Sequence, residues 1–217
     1  MIERGGTCEE RLYLDSMGFT FNDEQVLIRR TDMPDMEPLV ARHKARYHFV
    51  AGFCGYGMNV LDFPCGSGYG SEIFSSLGAM YTGLDIDAVT IEYCIHQQNP
   101  LNVVFATGDL RHPNLTSNCY DLIACIEGIE HIDERYQQSS LVDLRDALTD
   151  KGTLIVTTPS KGDGSNPYHL NEMTYDEFKL LLIKVFESVI IVPTLMVNHK
   201  GEKTVFMYGI CRKEGGW

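Results

Sequence analysis

The stretch Val60-Leu-Asp-Phe-Pro-Cys-Gly-Ser-Gly-Tyr-Gly70 decides the fold, because an apolar run ends there in three alternating glycines. The run predicts a short buried β-strand, and the glycines predict a tight turn into a helix. Glycines let the backbone approach a ligand closely, and the start of the next helix offers N–H groups to an anionic group. The spacing is G-x-G-x-G rather than the G-x-G-x-x-G of dinucleotide-binding proteins. The stretch therefore predicts a ligand-binding turn at the end of a strand.

Alternating strands and helices continue on both sides of this turn. Strands are predicted over residues 59–63, 80–85, 102–106, 120–126, 152–157, 188–195 and 205–211. Helices are predicted over residues 37–53, 71–77, 88–97, 135–148 and 175–185. This order predicts an α/β, Rossmann-like doubly wound sheet that is mostly parallel and seven-stranded. The turn before the last strand is too short for a helical crossover, so that strand is predicted to be antiparallel.

The domain organisation follows from where this alternation begins. Residues 1–40 are polar and acidic and lack strong periodicity, which indicates an N-terminal arm or lid. Residues 41–217 carry the α/β pattern and form the predicted main domain. Ligands of such sheets bind at the carboxyl ends of the strands. Asp85 and Asp109 close the second and third strands, so both carboxylates are expected beside the glycine turn.

These residues together resemble the class I S-adenosylmethionine-dependent methyltransferases. The resemblance rests on residues 60–70, Gly83-Leu-Asp-Ile-Asp87, Thr107-Gly-Asp109, Tyr120-Asp-Leu-Ile123 and Gly152-Thr-Leu-Ile-Val156, and covers about residues 45–215. It implies S-adenosylmethionine as cofactor. The glycine turn would lie against its methionine and ribose parts, Asp85 would bind the ribose hydroxyls and Asp109 the adenine amine. The implied cofactor-binding residues are Asp62, Cys65, Gly66, Ser67, Gly68, Tyr69, Asp85, Ile86, Asp109, Leu110, Glu127 and Arg46. Pro64 departs from the family, which usually has glycine there.

A second group of functional residues follows the fourth and fifth strands. Glu127, Glu130 and His131 share one face if they form a helical turn, and His169 follows the fifth strand at the same sheet edge. One reading makes His131 a general base for a hydroxyl acceptor. A second makes Glu127, Glu130, His131 and His169 the ligands of Mg²⁺ or Mn²⁺. In a third, the acids cap a helix and the histidines only pack.

Two segments resemble particular subgroups of methyltransferases, and together they leave three functions open. Glu127-x-x-Glu130-His131 resembles ubiquinone-type O-methyltransferases and metal-dependent enzymes that methylate the terminal ribose of small RNAs. Asn166-Pro-Tyr-His169 resembles methyltransferases associated with bacterial surface glycans. The preferred interpretation is methyl transfer to a hydroxyl of a sugar or other small molecule. The alternatives are a metal-dependent 2′-O-methyltransferase acting on an RNA end and a non-catalytic, S-adenosylmethionine-binding regulatory module.

Composition limits the partners. The resemblance implies a small-molecule or glycan acceptor, and the net charge of −12 disfavours a nucleic-acid acceptor. The seven cysteines form no C-x-x-C pair, so neither a disulfide framework nor a zinc ribbon is expected. The first residues lack an apolar core of a signal peptide, and no apolar run reaches the length of a membrane span. A cytoplasmic location without membrane contact is therefore expected, and a homodimer is left open.

Overall fold

The computed structural model describes residues 19–21, 27–29, 37–97, 99–162, 168–197 and 203–214. The elements that it contains are, in chain order, β1 (Phe19–Phe21), β2 (Leu27–Arg29), α1 (Glu37–Ala51), β3 (Asn59–Asp62), α2 (Tyr69–Ser76), β4 (Met80–Asp85), α3 (Ala88–His96), β5 (Val103–Thr107), β6 (Tyr120–Ile126), a 3₁₀ turn (Ile129–His131), α4 (Glu134–Ala147), β7 (Leu148–Pro159), α5 (Tyr175–Ile183), β8 (Ser188–Val197) and β9 (Lys203–Arg212).

The main sheet has seven strands in the order β5-β4-β3-β6-β7-β9-β8. The strands from β5 to β7 pair in parallel, whereas β9 is antiparallel to both of its neighbours, β7 and β8. This confirms the predicted Rossmann-like α/β fold with an antiparallel last strand. The chain order reverses between β3 and β6, so the carboxyl ends of these two strands flank the crevice where such folds bind ligands.

Two apolar cores lie on opposite faces of the sheet. One contains Tyr47 of α1, Phe74 of α2 and Ile91 of α3, and the other contains Leu141 of α4 and Phe178 of α5. Phe74, Leu141 and Phe178 are fully buried. Burying each such side chain contributes about 1.5–3 kcal/mol, so helices on both faces hold the sheet rigid beneath its loops.

The predicted elements agree with the structure apart from details at their ends and in the N-terminal part. β7 begins earlier than predicted, at Leu148. β1 and β2 form a small antiparallel pair, in a region where the sequence predicted only an arm or a lid. The role and the boundary of residues 1–40 stay predictions. Most of that segment, together with Asn166 and Pro167, lies outside the described residues.

Pro64 and Gly128 pack the loop after β3 against the loop after β6. A Cβ atom at position 128 would collide with the Pro64 ring and come within 3.4 Å of Leu110. The peptide bond before Pro64 is cis. Pro64 stands where the resembled family usually has glycine, and it packs against Gly128, which has no side chain. This contact sets the spacing of the two loops.

We expect Gly128→Ala to lower the free energy of unfolding by about 1–3 kcal/mol, because a methyl group would overfill this contact. Urea denaturation measures the change. Gly55→Ala is the matched control, since a Cβ there meets only the flexible end of Met58 at 3.4 Å. Adding Pro64→Ala to Gly128→Ala should restore part of the loss. If Gly128→Ala were as stable as the control, this packing would not set the loop spacing.

Candidate functional site

The buried carboxylate of Asp85 ties the glycine loop to the neighbouring strand. One of its oxygens accepts a hydrogen bond from the Gly66 N–H at 3.0 Å and the other accepts from the Asp87 N–H at 2.9 Å. Gly66 and Gly68 have φ values of 50° and 80°, in the left-handed region that favours glycine. Asp87 caps α3 by accepting a hydrogen bond from the Val89 N–H. The loop after β3 is thus held in one shape by the strand beside it.

The side chains of the loop divide between packing and the crevice. The thiols of Cys65 and Cys94 both lie against the Gly66 carbonyl oxygen, at 3.6 Å and 3.5 Å. Burial raises the pKa of the Tyr69 phenol. The Ser67 hydroxyl is shielded from solvent and makes no hydrogen bond to any of the described residues. A buried hydroxyl without a hydrogen-bond partner is unfavourable, so a bound ligand would supply the hydrogen bond that Ser67 lacks.

Asp62 ends β3 beneath the loop and is fully buried. The Tyr81 hydroxyl donates to one carboxylate oxygen at 2.6 Å, and the Tyr47 hydroxyl approaches the other at 3.5 Å. Burial raises the pKa of Asp62 to about 8; the two phenols lower it, and Asp85 adds to the increase. A Cβ atom at position 70 would lie 2.7 Å from Asp62, which explains the third glycine. The phenols therefore link α1 and β4 to the floor of the crevice.

The predicted adenine side of the crevice follows β4 and β5. Ile86 is half exposed and Leu110 is buried. Asp109 holds Arg111 through two guanidinium nitrogens, with the shortest contact at 2.6 Å, and this lowers the pKa of Asp109. Asp109, which the resemblance assigns to the adenine amine, therefore already forms an ion pair with Arg111.

Glu127 lies directly after β6 and turns toward α1. Its φ is 49°, an uncommon value for a residue with a side chain. Its carboxylate forms an ion pair with the buried Arg46, and His43 lies 3.9 Å from the same carboxylate. Arg46 also stacks on the Phe206 ring, 4.2 Å from its centre. A strained residue that is held by a buried ion pair at a strand end is typical of functional sites.

Glu130, His131 and His169 converge next to this ion pair. One ligand atom from each lies within 4.8 Å of the others, and the two imidazole rings meet edge to face at 4.9 Å. Glu130 is fully buried. Burial raises its pKa well above the ordinary value, and Glu127 adds to the increase. Thr158 and Arg46 offset only part of this effect. Binding a proton or a cation removes the free-energy cost of a negative charge on such a buried group.

Hydrogen bonds behind the two histidines orient their rings. The Nδ1 atom of His131 lies 3.2 Å from the Tyr168 carbonyl oxygen, and the Nδ1 atom of His169 lies 2.8 Å from the Glu172 carboxylate. The backbone N–H groups of Leu170 and Asn171 donate to the Glu130 carbonyl oxygen at 2.9 Å and 3.1 Å. The loop after β7 is thereby attached to the 3₁₀ turn after β6.

The structure brings together three of the four residues that the sequence grouped. Glu130, His131 and His169 converge, whereas the Glu127 carboxylate binds Arg46. The expected helical turn with Glu127, Glu130 and His131 on one face is not formed. Glu127 lies before the 3₁₀ turn in a left-handed conformation, and its side chain turns toward Arg46. Arg46, which the resemblance includes among the cofactor-binding residues, pairs with Glu127.

Sequence reasoning missed several partners of the site residues. Tyr81 and Tyr47 bind Asp62, Arg111 binds Asp109, and Glu172 binds His169. Only the last pair had a readable signal, since His169 and Glu172 are three residues apart in one motif.

Comparison with known proteins finds similarity to methyltransferases. Residues 60–152 match the family model described as a methyltransferase domain. A probable S-adenosylmethionine-dependent methyltransferase from Mycolicibacterium smegmatis is 28% identical over 153 residues, which are 65% of this chain and 56% of the relative. A ubiquinone biosynthesis O-methyltransferase from Glaesserella parasuis is 29% identical over 110 residues, which are 48% of this chain and 46% of the relative.

Solved structures support the same fold. The crystal structure of an S-adenosylmethionine-dependent methyltransferase from Methanosarcina mazei superimposes with a TM-score of 0.65 at 14% identity, covering 77% of this chain and 98% of that one. At this low identity the superposition shows that the two chains share a fold. The matched part of the chain spans about half the length of these two curated relatives. Among the helices described, none has both the length and the apolar character needed to cross a membrane.

We expect Asp62→Asn to become more stable relative to the wild type as pH rises. The pKa of Asp62 is about 8 in the folded protein, against an ordinary value of 3.8. Between these values the unfolded chain is ionised and the folded chain keeps the proton. The free energy of unfolding therefore falls with rising pH, by at most about 1.4 kcal/mol per pH unit from this group.

Urea denaturation at several pH values between 5 and 8 measures the difference between variant and wild type. Asp143→Asn, on the exposed side of α4, controls for the loss of one carboxylate. A constant difference between Asp62→Asn and the wild type across this range would contradict the raised pKa of Asp62.

Proposed function

We propose that this protein transfers the methyl group of S-adenosylmethionine to a hydroxyl group of a small molecule or sugar. One observation carries the proposal. The glycine loop held by Asp85 and the cluster of Glu130, His131 and His169 follow strands of the same sheet, all at their carboxyl ends. A donor bound at the loop would therefore have a candidate proton acceptor for the attacking hydroxyl close by.

The cofactor would lie along the loop from Gly66 to Gly70. Asp85 would bind the ribose hydroxyls while it keeps the loop closed through Gly66, and Ser67 would donate to a polar group of the ligand. Ile86 and Leu110 would flank the adenine, and Asp109 would accept from its amine while it still holds Arg111. These assignments come from the resemblance to the family. The unsatisfied Ser67 hydroxyl is an independent observation in their favour.

Methyl transfer needs a nucleophile in line with the sulfonium and the exclusion of water. The acceptor oxygen forms the new C–O bond as the S–C bond breaks, and the hydroxyl proton passes to a base. His131 suits that role because its Nδ1 faces a backbone carbonyl oxygen, which leaves Nε2 as the basic nitrogen.

Glu130, His131 and His169 also fit a divalent cation. A buried carboxylate and two histidines with outer hydrogen bonds form a common donor set, and two imidazoles suit Mn²⁺ better than Mg²⁺. A cation held there would lower the pKa of an acceptor hydroxyl. Glu127 would join the set only by leaving Arg46. The similarity to a ubiquinone biosynthesis O-methyltransferase supports the hydroxyl acceptor. The net charge of −12 argues against the RNA-directed alternative.

We expect Asp85→Ala to weaken binding of S-adenosylhomocysteine about 10- to 100-fold, since charge-assisted hydrogen bonds contribute about 1.5–3 kcal/mol. Isothermal titration calorimetry measures the affinity. Asp87→Ala is the control, because that side chain caps α3 and accepts from Val89 and Thr90. Binding of NAD in preference to S-adenosylhomocysteine, or full affinity in Asp85→Ala, would refute the cofactor assignment.

We expect His131→Gln to lower kcat/KM for methyl transfer to a sugar or phenol acceptor about 10²- to 10⁴-fold, the usual contribution of a general base. Cofactor binding should be unchanged. The assay is run with and without EDTA, and then with added Mn²⁺. Turnover that survives EDTA supports His131 as the base and excludes a required cation. Turnover that EDTA abolishes and Mn²⁺ restores supports the cation. A protein that binds cofactor but methylates no acceptor would favour the regulatory module.

A further inference from the structure

The Glu172 carboxylate contacts a histidine of the proposed acceptor site from behind. Its Oε1 lies 2.8 Å from Nδ1 of His169. The two side chains are only 13% and 14% exposed, so water competes weakly for this contact. Glu172 is not among the three groups that converge. We propose that Glu172 is a positioning residue that holds His169 in the Nδ1–H tautomer.

The chemical consequence follows from the two ring nitrogens of histidine. A carboxylate only accepts hydrogen bonds, so the Nδ1 atom facing it must carry a proton. The lone pair is then on Nε2, and Nε2 is the atom that takes a proton or binds a cation. A carboxylate behind a histidine also increases the basicity of the far nitrogen. This inference rests on the proposed function, and it holds whether His169 assists a general base or binds a metal ion.

The position of Glu172 is fixed on both sides. Its second oxygen accepts from the Gly162 N–H at 3.4 Å, and the next residue, Met173, accepts at its carbonyl from the Lys161 N–H at 2.8 Å. Met173 also forms a β-bridge with Ser160 at the end of β7. On the other side, Leu170 and Asn171 donate to the Glu130 carbonyl oxygen. The segment from 168 to 173 is therefore anchored before any ligand binds, so His169 needs no reorientation.

The arrangement around His131 differs and gives an internal comparison. There the Nδ1 partner is the backbone carbonyl of Tyr168, which no side-chain substitution removes. A change at Glu172 should therefore alter the tautomer of His169 and leave that of His131 as it was. A purely structural role of Glu172 would predict equal disturbance of both rings or of neither.

The test uses the full chain labelled with ¹⁵N at histidine. Long-range ¹H–¹⁵N correlation spectra, recorded at a pH where the imidazoles are neutral, report which nitrogen carries the proton. We expect the wild type to show His169 with the proton on Nδ1. Glu172→Ala and the similarly shaped Glu172→Gln should show a mixture of tautomers at His169 and an unchanged His131. A wild-type spectrum with the proton on Nε2 of His169 overturns the proposal without any variant.

Affinity and turnover complete the test. We expect both Glu172 variants to lose about 10- to 100-fold in methyl-transfer rate, or in Mn²⁺ affinity if Mn²⁺ binds, as is usual for such outer partners. Glu177→Gln is the matched control, because Glu177 belongs to the capping box of α5 and accepts from Thr174. It should retain the wild-type tautomer and rate.

Two outcomes separate the inference from the proposed function. If S-adenosylhomocysteine binds and the tautomer of His169 does not respond to either variant, the role of Glu172 is wrong and the proposed function stands. If no S-adenosylhomocysteine binds to the wild type, the proposed function fails, and the tautomer shift then supports only the Glu172–His169 pairing.

Discussion

The hydrogen bond from the Gly66 N–H to the buried Asp85 carboxylate is the contact on which the ligand crevice depends. It joins the loop after β3 to the end of β4, two strands that are adjacent in the sheet. Because the carboxylate is buried, its bonds to backbone N–H groups are stronger than they would be in water. This bond holds the loop in which Gly66 and Gly68 adopt left-handed conformations.

The other half of the site depends on a carbonyl group. The Glu130 carbonyl accepts from two consecutive N–H groups of the loop after β7, and this brings His169 next to His131. The result is a buried carboxyl group surrounded by imidazoles, with Arg46 and Glu127 beside it. Burial and the charge of Glu127 both oppose ionisation of Glu130. A buried carboxyl group with a strongly raised pKa therefore lies at the edge of the sheet where such folds bind ligands. Strongly shifted pKa values of this kind are typical of active sites.

The proposed function names the methyl donor but leaves the acceptor open. Class I methyltransferase folds share the donor site, whereas acceptor groups are bound by loops that differ between proteins. Here the loops after β6 and β7 supply the groups nearest to the expected acceptor. Their chemistry, one carboxyl and two oriented histidines, suits removal of a proton from a hydroxyl, and this is the basis for proposing oxygen as the methylated atom.

The sequence by itself determined the seven-stranded α/β fold, the glycine loop and the acids that end β4 and β5. These features depend on local periodicity and on parallel strands, which place all carboxyl ends at one edge. It also placed Glu130, His131 and His169 at one edge of the sheet, and these three side chains lie close together in the structure. Only the tertiary structure decided that Glu127 turns to Arg46, that Tyr47 and Tyr81 hold Asp62, and that Pro64 requires Gly128. Each of these contacts joins residues far apart in the chain, and the direction of Glu127 follows from one backbone angle that residue type does not predict.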